Sequence, residues 1–571
     1  MTRKKMGKIV NGLFLAWFIC TPIFWHMDIS TGSSNFYDMF TMAPYAIFHL
    51  VIFYTLGLFS IYLNKFSLYS LFLLSLYFPF IQLINYPFLT NRDVYLHGGP
   101  VRTLLENGEL VCKENPLPQA WPASFDLHGI MSIVSGCDLI NANYVLYLAL
   151  IVIFTLILYS LVRTLENKGY RLAWVSAILF LCLFFNHLSN VFDHYSRTAL
   201  AFTLLLFFFY SLTRFKSLHG LMLQMSIIAS TAITHPFQSF ALAVFMLACL
   251  VLNRRAKLAP LAMFSIITFS EWFLLQTSTF SEIGYPLETF FSPQFTTSIV
   301  RSLMPAKALP WWGLILRDFY KYSLITLLGV AVIATFIILI KAKSNDITTN
   351  GMISLLFSAI AMSGLLFLPD WDIQRLTSFA AFPAALSSII LLEEVTKRGK
   401  IKLFRHSLKP TIKKSILVLL LVFTISLSAT VMVLRFERNF YFGEVTHPSE
   451  LSSLSFFTTY NYNSTVNIVS WRTAIYFAYF NYNSSHQVSR LWYLEINELK
   501  GNLSKLLYAE SALINQSQSV IRGMRDSYTL GLQDMDENPL DFIDNKVILP
   551  NFNLVYSNEY YLVYECALPN T

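Results

Sequence analysis

A chain of 571 residues in which 55% are hydrophobic and only 13% charged is not composed like a soluble globular protein, whose charged share is roughly a quarter. It reads as an all-α polytopic membrane protein, with 51 Phe, 30 Tyr and 10 Trp supplying rings that suit lipid and its interfaces. The net charge of +8 is a topology signal rather than a sign of nucleic-acid binding, because Lys and Arg gather in cytoplasmic loops and no Gly-rich phosphate loop, metal-spaced cysteine pair or basic-aromatic array accompanies it.

Apolar runs long enough to cross about 30 Å of hydrocarbon fall near 9–26, 44–62, 67–85, 143–162, 172–189, 198–213, 219–234, 237–252, 258–277, 322–340, 351–368, 376–392 and 415–434. They predict about thirteen transmembrane helices. Basic segments occupy alternate connections: TRKKMGK at the N-terminus, then 64–65, 163–171, 213–219, 253–257, 341–343 and the long 396–414 stretch. The positive-inside rule makes that face cytoplasmic. The expectation is a multi-pass protein of the cell (plasma) membrane with its N-terminus inside.

The opposite face receives 27–43, 86–142, the short turns near 190 and 235, 278–321, 369–375 and everything after 435. The expected division is a transmembrane helical domain over 1–434, with outer loops 86–142 and 278–321, followed by a small extracytoplasmic α/β domain over 435–571. Acceptor patterns Asn-x-Ser/Thr for glycosylation at Asn463, Asn483, Asn502 and Asn515 are confined to that tail, in agreement with the charge rule. Within the tail, VNIVSW at 466–471 has strand character, and NLVYS with EYYLVYE, joined around Asn558, predicts a β-hairpin. The first span has a basic start and no small-x-small site after it, so it reads as a retained signal anchor. Cys112 and Cys137 share one outer loop and can pair there if the fold brings them together.

The span centres are nearly free of charge, whereas ion-coupled pumps carry buried carboxylates or basic residues. Charge collects at the outer ends instead. The first large loop supplies Arg92, Asp93, His97, Arg102, Asp126 and His128; NHLSNVFDHYSR at 186–197 supplies Asp193, His194 and Arg197; THPFQ supplies His235; 278–321 supplies Arg301; and PDWDIQR supplies Arg375. The ordinary reading of each is a solvated helix end, and His235 before Pro236 is placed to finish a span. Asp93 is harder to set aside. It opens VYLHGGPVRTLLENGEL, a segment able to form a helix along the interface, in which Asp93 and His97 at i and i+4 share one face. An acid and an imidazole so placed can move protons or hold a metal.

RDVYLHGG in the first large outer loop resembles the GT-C superfamily of lipid-sugar-dependent glycosyltransferases, which includes oligosaccharyltransferases, protein mannosyltransferases and archaeal relatives. PQAWPASFDLHGIMSIVSG, DHYSRTALAFTLLLF, THPFQSFALAVF, DIQRLTSFAAFPAALSS and the closing FNLVYSNEYYLVYE are similar to stretches of the archaeal relatives. The resemblance implies transfer of a sugar from a polyprenyl-phosphate donor, its lipid among the spans, to a glycan or protein acceptor on the outer face. It implies Asp93 as general base or as a ligand of a divalent metal such as Mg or Mn, assisted by His97. The leaving lipid phosphate would be met by Arg375, Arg197, Arg301 or Arg102, since guanidinium binds phosphate bidentately, and Asp126, Asp193 and His194 would shape the sugar pocket. Two other classes stay open: a transporter, flippase or polymer ligase for lipid-linked glycans, which predicts internal repeats or polar midplanes, and a noncatalytic envelope protein, which needs no Asp93.

Overall fold

A computed structural model describes residues 3–31, 49, 52–57, 59–60, 68–85, 92–108, 121–167, 195–215, 217–253 and 258–275, together with five strands between 466 and 566. The described helices are α1 (Arg3–Thr31), α2 (Leu68–Asn85), α3 (Arg92–Asn107), α4 (Ala123–Ser135), α5 (Leu139–Asn167), α6 (Arg197–Arg214), α7 (Leu218–Thr234), α8 (Pro236–Asn253) and α9 (Ala259–Leu275). The apolar runs at 9–26, 67–85, 143–162, 198–213, 219–234, 237–252 and 258–277 coincide with α1, α2 and α5 to α9, and the run at 44–62 is helical over 52–57. Among the described residues one stretch, Leu139–Thr164 in α5, is both long and apolar enough to cross a membrane, with shorter apolar helices at Leu218–Thr234 and Gln238–Leu247. The runs at 172–189, 322–340, 351–368, 376–392 and 415–434 lie outside the described residues, as do the sequons Asn463, Asn483, Asn502 and Asn515.

The chain divides into two compact units, one of Met1–Asn85, Glu114–Ser124 and Val145–Phe436, the other of Tyr86–Lys113, Phe125–Tyr144 and Glu437–Thr571. In the first, α1 packs on α2 with the 52–57 segment, through aromatic rings. Phe14 and Phe53 are fully buried with centroids 5.0 Å apart, and Trp17 stacks on His49 at 5.2 Å while its indole N–H donates to the His49 carbonyl at 3.1 Å. The few polar side chains in this apolar body bond to one another: Asn11 Oδ1 accepts from both the Ser60 and Ser70 hydroxyls, whose oxygens lie 2.9 Å apart. Such pairing is what an apolar surrounding demands, since an unbonded polar group there has no water to turn to. Buried hydroxyls elsewhere find the carbonyl one turn back: Ser75 on Leu71, Thr155 on Ile151, Thr203 on Ala199 and Thr231 on Ile227, all between 2.7 and 2.9 Å.

Helices α6 to α9 pack on one another, with the Phe208 and Phe209 rings edge-on to Phe245 and Phe240 beside Phe269. Their boundaries follow from local chemistry. Ser196 and Ser217 are N-caps in extended backbone, accepting from the amides of Ala199 and Gly220. His235 caps the C-terminus of α7, its N–H bonded to Thr231 O, and Pro236 opens α8 at once, because the first helical position needs no N–H and suits the fixed φ of proline.

In the second unit the strands β1 (Val466–Ile468), β2 (His486–Val488), β3 (Ser519–Gly523), β4 (Phe552–Ser557) and β5 (Tyr561–Cys566) form one sheet in the order β2-β1-β3-β5-β4. β1 runs parallel to β2 and β3, and β5 runs antiparallel to β3 and β4, with a register shift between Leu554 and Tyr556. The closing hairpin around Asn558 and the strand in VNIVSW are therefore present in the sheet.

Two glycines give a paired test of the packing. A Cβ on Gly220 would lie 2.7 Å from Phe215 Cβ and 3.1 Å from its carbonyl carbon, whereas one on Gly12 would meet nothing within 4 Å. Gly220→Ala should lower stability by about 1–3 kcal/mol, while Gly12→Ala should be neutral or gain up to about 1 kcal/mol from helix propensity, both read as shifts in the thermal transition of detergent-solubilised protein.

Candidate functional site

The segment from Arg92 to Asn107 folds as α3, so the backbone places Asp93 and His97 one turn apart on one helix face. Val94, Val101 and Thr103 are buried, and Pro100 within the helix removes one donor from its ladder. The Thr103 hydroxyl donates to Gly99 O at 3.2 Å, placing a side-chain donor on the carbonyl next to that gap.

α3 rests on α4 at two points. The His97 ring meets Phe125 edge-to-face, centroids 5.5 Å apart at 70°. Farther along, Gly129 is apposed to Val101, Leu104 and Leu105, near enough that a Cβ there would touch all three at 3.5 to 3.7 Å. α4 is in turn fastened to α5. His128, 2% exposed, bonds through Nε2 to Leu139 O at 2.7 Å, and the Ser132 hydroxyl donates to Cys137 O at 2.7 Å. Gly136 makes the turn at φ +65°, a conformation that favours glycine. Asp138 then opens α5, its Oδ1 accepting from the amides of Ile140 and Asn141 at 2.9 Å each.

The predicted site residues divide as follows. Asp93, His97, Arg102 and Asp126 belong to the second unit, Asp93 being located by its backbone in α3. Arg102 does not join the Asp93 face: nine residues on, it stands about 180° round the helix, and its Nε binds Glu106 Oε1 at 2.8 Å. Asp126 lies in the first turn of α4, half-buried, and burial pushes its carboxyl above the usual carboxylate range. Arg197 is the first residue of α6 in the first unit and half-buried. Just before it, Tyr195 is 3% exposed and its hydroxyl donates to Ser124 O at 3.3 Å; burial raises the phenol, so it stays protonated. Arg301, Arg375, Asp193 and His194 lie outside the described residues.

Among the described residues no group of three His, Cys, Asp or Glu side chains is placed to hold a metal ion. Cys137 is a free thiol, not bridged to Cys112, which lies outside the described residues. Phe125 and Tyr195 are positioning residues that the sequence did not single out, and His128, noted there as an outer-loop imidazole, had been given no role.

No family model matches the chain, and no curated protein matches it. Solved structures similar to it include ArnT from Cupriavidus metallidurans in the apo state, at 10% identity over 82% of this chain and 92% of that one, with a TM-score of 0.45. The same protein bound to undecaprenyl phosphate matches at 10% identity over 83% and 93%, TM-score 0.44. The Archaeoglobus fulgidus oligosaccharyltransferase in complex with Zn and sulfate matches at 13% identity over 87% and 73%, TM-score 0.47.

Asp126 gives a pH test. With its folded pKa raised by burial, the neutral acid is the form the fold prefers, so its contribution is present below the unfolded pKa of about 3.9 and is lost as pH rises through the folded value. Asp126→Asn should therefore melt higher than the parent at pH 7, and the difference should shrink as pH falls toward 4. His128→Ala should destabilise by about 1–3 kcal/mol at pH 7, through the lost bond to Leu139 O.

Proposed function

We propose that the chain is an integral membrane glycosyltransferase that moves a sugar from a polyprenyl-phosphate-linked donor to a glycan or protein acceptor at the outer face of the membrane. The observation that carries this reading is α3: a helix beginning just after an apolar run, with Asp93 and His97 on one face and the His97 ring held against Phe125. The resemblance of RDVYLHGG and the later stretches to GT-C enzymes supports the same reading.

In the proposed step the acceptor hydroxyl attacks the anomeric carbon, the bond from that carbon to the phosphate oxygen breaks, and the electron pair leaves with the polyprenyl phosphate. The Asp93 carboxylate takes the acceptor proton as general base, a role worth typically 10²–10⁴-fold in rate. His97, one turn on, hydrogen-bonds the carboxylate or the acceptor and keeps the proton path fixed. Negative charge develops on the leaving phosphate, where Arg197, Arg301 or Arg375 would stabilise it. Asp126, Asp193 and His194 are assigned to the sugar pocket, and membrane lipid holds the polyprenyl chain. The tail from 435 is assigned to the extracytoplasmic side with Asn463, Asn483, Asn502 and Asn515, and the N-terminus to the cytoplasm.

The test uses membranes containing the full chain and a radiolabelled polyprenyl-phosphate sugar. The parent should transfer label, Asp93→Asn should lose at least about 10²-fold in rate at unchanged expression and melting temperature, and Arg102→Gln should stay near the parental rate. Full activity in Asp93→Asn would remove the central residue from the proposal.

A further inference from the structure

We infer that Gln238, at the mouth of α8 beside His235, is a hydrogen-bonding subsite for a sugar hydroxyl. The α7–α8 junction carries the stretch THPFQS, in which Thr234, His235, Gln238 and Ser239 are all buried. Nearby buried polar groups find local partners. The Thr231 and Thr234 hydroxyls donate to Ile227 O at 2.7 Å and Ser230 O at 2.5 Å, and Gln224 Nε2 donates to Phe215 O at 3.3 Å. Gln238 differs: it is 1% exposed, and among the described residues its Oε1 meets no donor.

Its place in the helix explains why the fold leaves it so. Pro236 is the first residue of α8 and Gln238 the third, the position from which a Gln ordinarily reaches back to the N-cap amide. That amide, of His235, already donates to Thr231 O at 3.1 Å, while the His235 carbonyl accepts from Ser239 N at 3.2 Å. Ser265 Oγ, also buried and unpaired, lies inside α9 and can turn to the carbonyl one turn back; Gln238 has no turn of α8 behind it. Helical side chains tilt toward the N-terminus, so the carboxamide is aimed at the mouth, where first-turn amides have no intrahelical acceptor. The matching group must both donate and accept, as a hydroxyl does and an unprotonated phosphate oxygen cannot. An ammonium is disfavoured too, since none of the four junction residues is acidic and Glu271, on the α9 helix packed against α8, is exposed. Basic segments at 213–219 and 253–257 lie at the far ends of α7 and α8, so the charge rule assigns this mouth to the outer side. The identity of the hydroxyl as a sugar's rests on the glycosyltransferase reading.

The full chain in lipid nanodiscs is titrated with polyprenyl phosphate, polyprenyl-phosphate mannose and polyprenyl-phosphate glucose, beside Gln238→Leu and Gln238→Met, which remove the carboxamide at similar volume. The parent should bind a sugar-bearing lipid about tenfold or more tighter than the bare one, because a buried site built for a hydroxyl rejects a ligand lacking it. In both variants that preference should fall to about twofold or less. The bare lipid should bind as before, and the melting temperature should hold or rise, since an unpaired buried polar group is gone. Preference retained in the variants overturns the subsite and leaves the glycosyltransferase reading standing. A lower melting temperature with unchanged affinities overturns it by assigning Gln238 to the fold through an internal water. Preference lost only together with bare-lipid binding and thermal stability is damage to the fold and overturns it likewise. A parent that prefers neither sugar overturns the subsite along with the reading beneath it.

Discussion

The hydrogen bond from His128 to the carbonyl of Leu139, 2.7 Å long and nearly sealed from solvent, joins α4 to the head of α5. A buried imidazole without a partner would cost a desolvation penalty of about 1–3 kcal/mol, so the bond holds α4 against the first residue of α5 and fixes the approach between them. α4 then presents Phe125 and Gly129 to α3: the ring takes His97 edge-on, and the glycine lets Val101 and Leu104 come close. Whatever α3 does chemically, its rotation follows from these contacts, and the backbone of Asp93 is placed by them.

The same logic runs through the apolar body. Serines and threonines within the helices donate to the carbonyl one turn back, Asn11 gathers the hydroxyls of Ser60 and Ser70, and His235 closes α7 before Pro236 opens α8. These polar groups are satisfied locally, while Leu127, Ile130, Ile133 and Val134 of α4 and Val145, Leu148, Val152, Ile153 and Leu156 of α5 are exposed.

Much of the helical plan was legible because apolar runs of span length have few alternative readings: α1, α2 and α5 to α9 fall on the predicted runs. The hairpin around Asn558 was legible from its alternation and turn residue. The helix of Asp93 and His97 was legible too, since spacing alone sets which residues share a face. Less visible was the direction of a face. The aliphatic stripe of α4 has the periodicity of a core helix, and sequence records amphipathicity without saying which side is inward. The ion pair of Arg102 with Glu106 follows from i,i+4 spacing, a local partner that outer-loop charge alone does not bring out. Glycine at 129 and phenylalanine at 125 gave no signal, because close approach between helices distant in sequence leaves no mark on either one.

The central claim, that the α3 face bearing Asp93 and His97 meets the sugar end of a lipid-linked donor, is tested most directly by an electron cryomicroscopy structure of the full chain in lipid nanodiscs with a polyprenyl-phosphate sugar bound. The account predicts the sugar against that face, with the Asp93 carboxylate within hydrogen-bond reach, about 2.6–3.2 Å, of the acceptor-side position at the anomeric carbon. A donor bound elsewhere, with Asp93 turned to bulk water or closed off by protein, would contradict it.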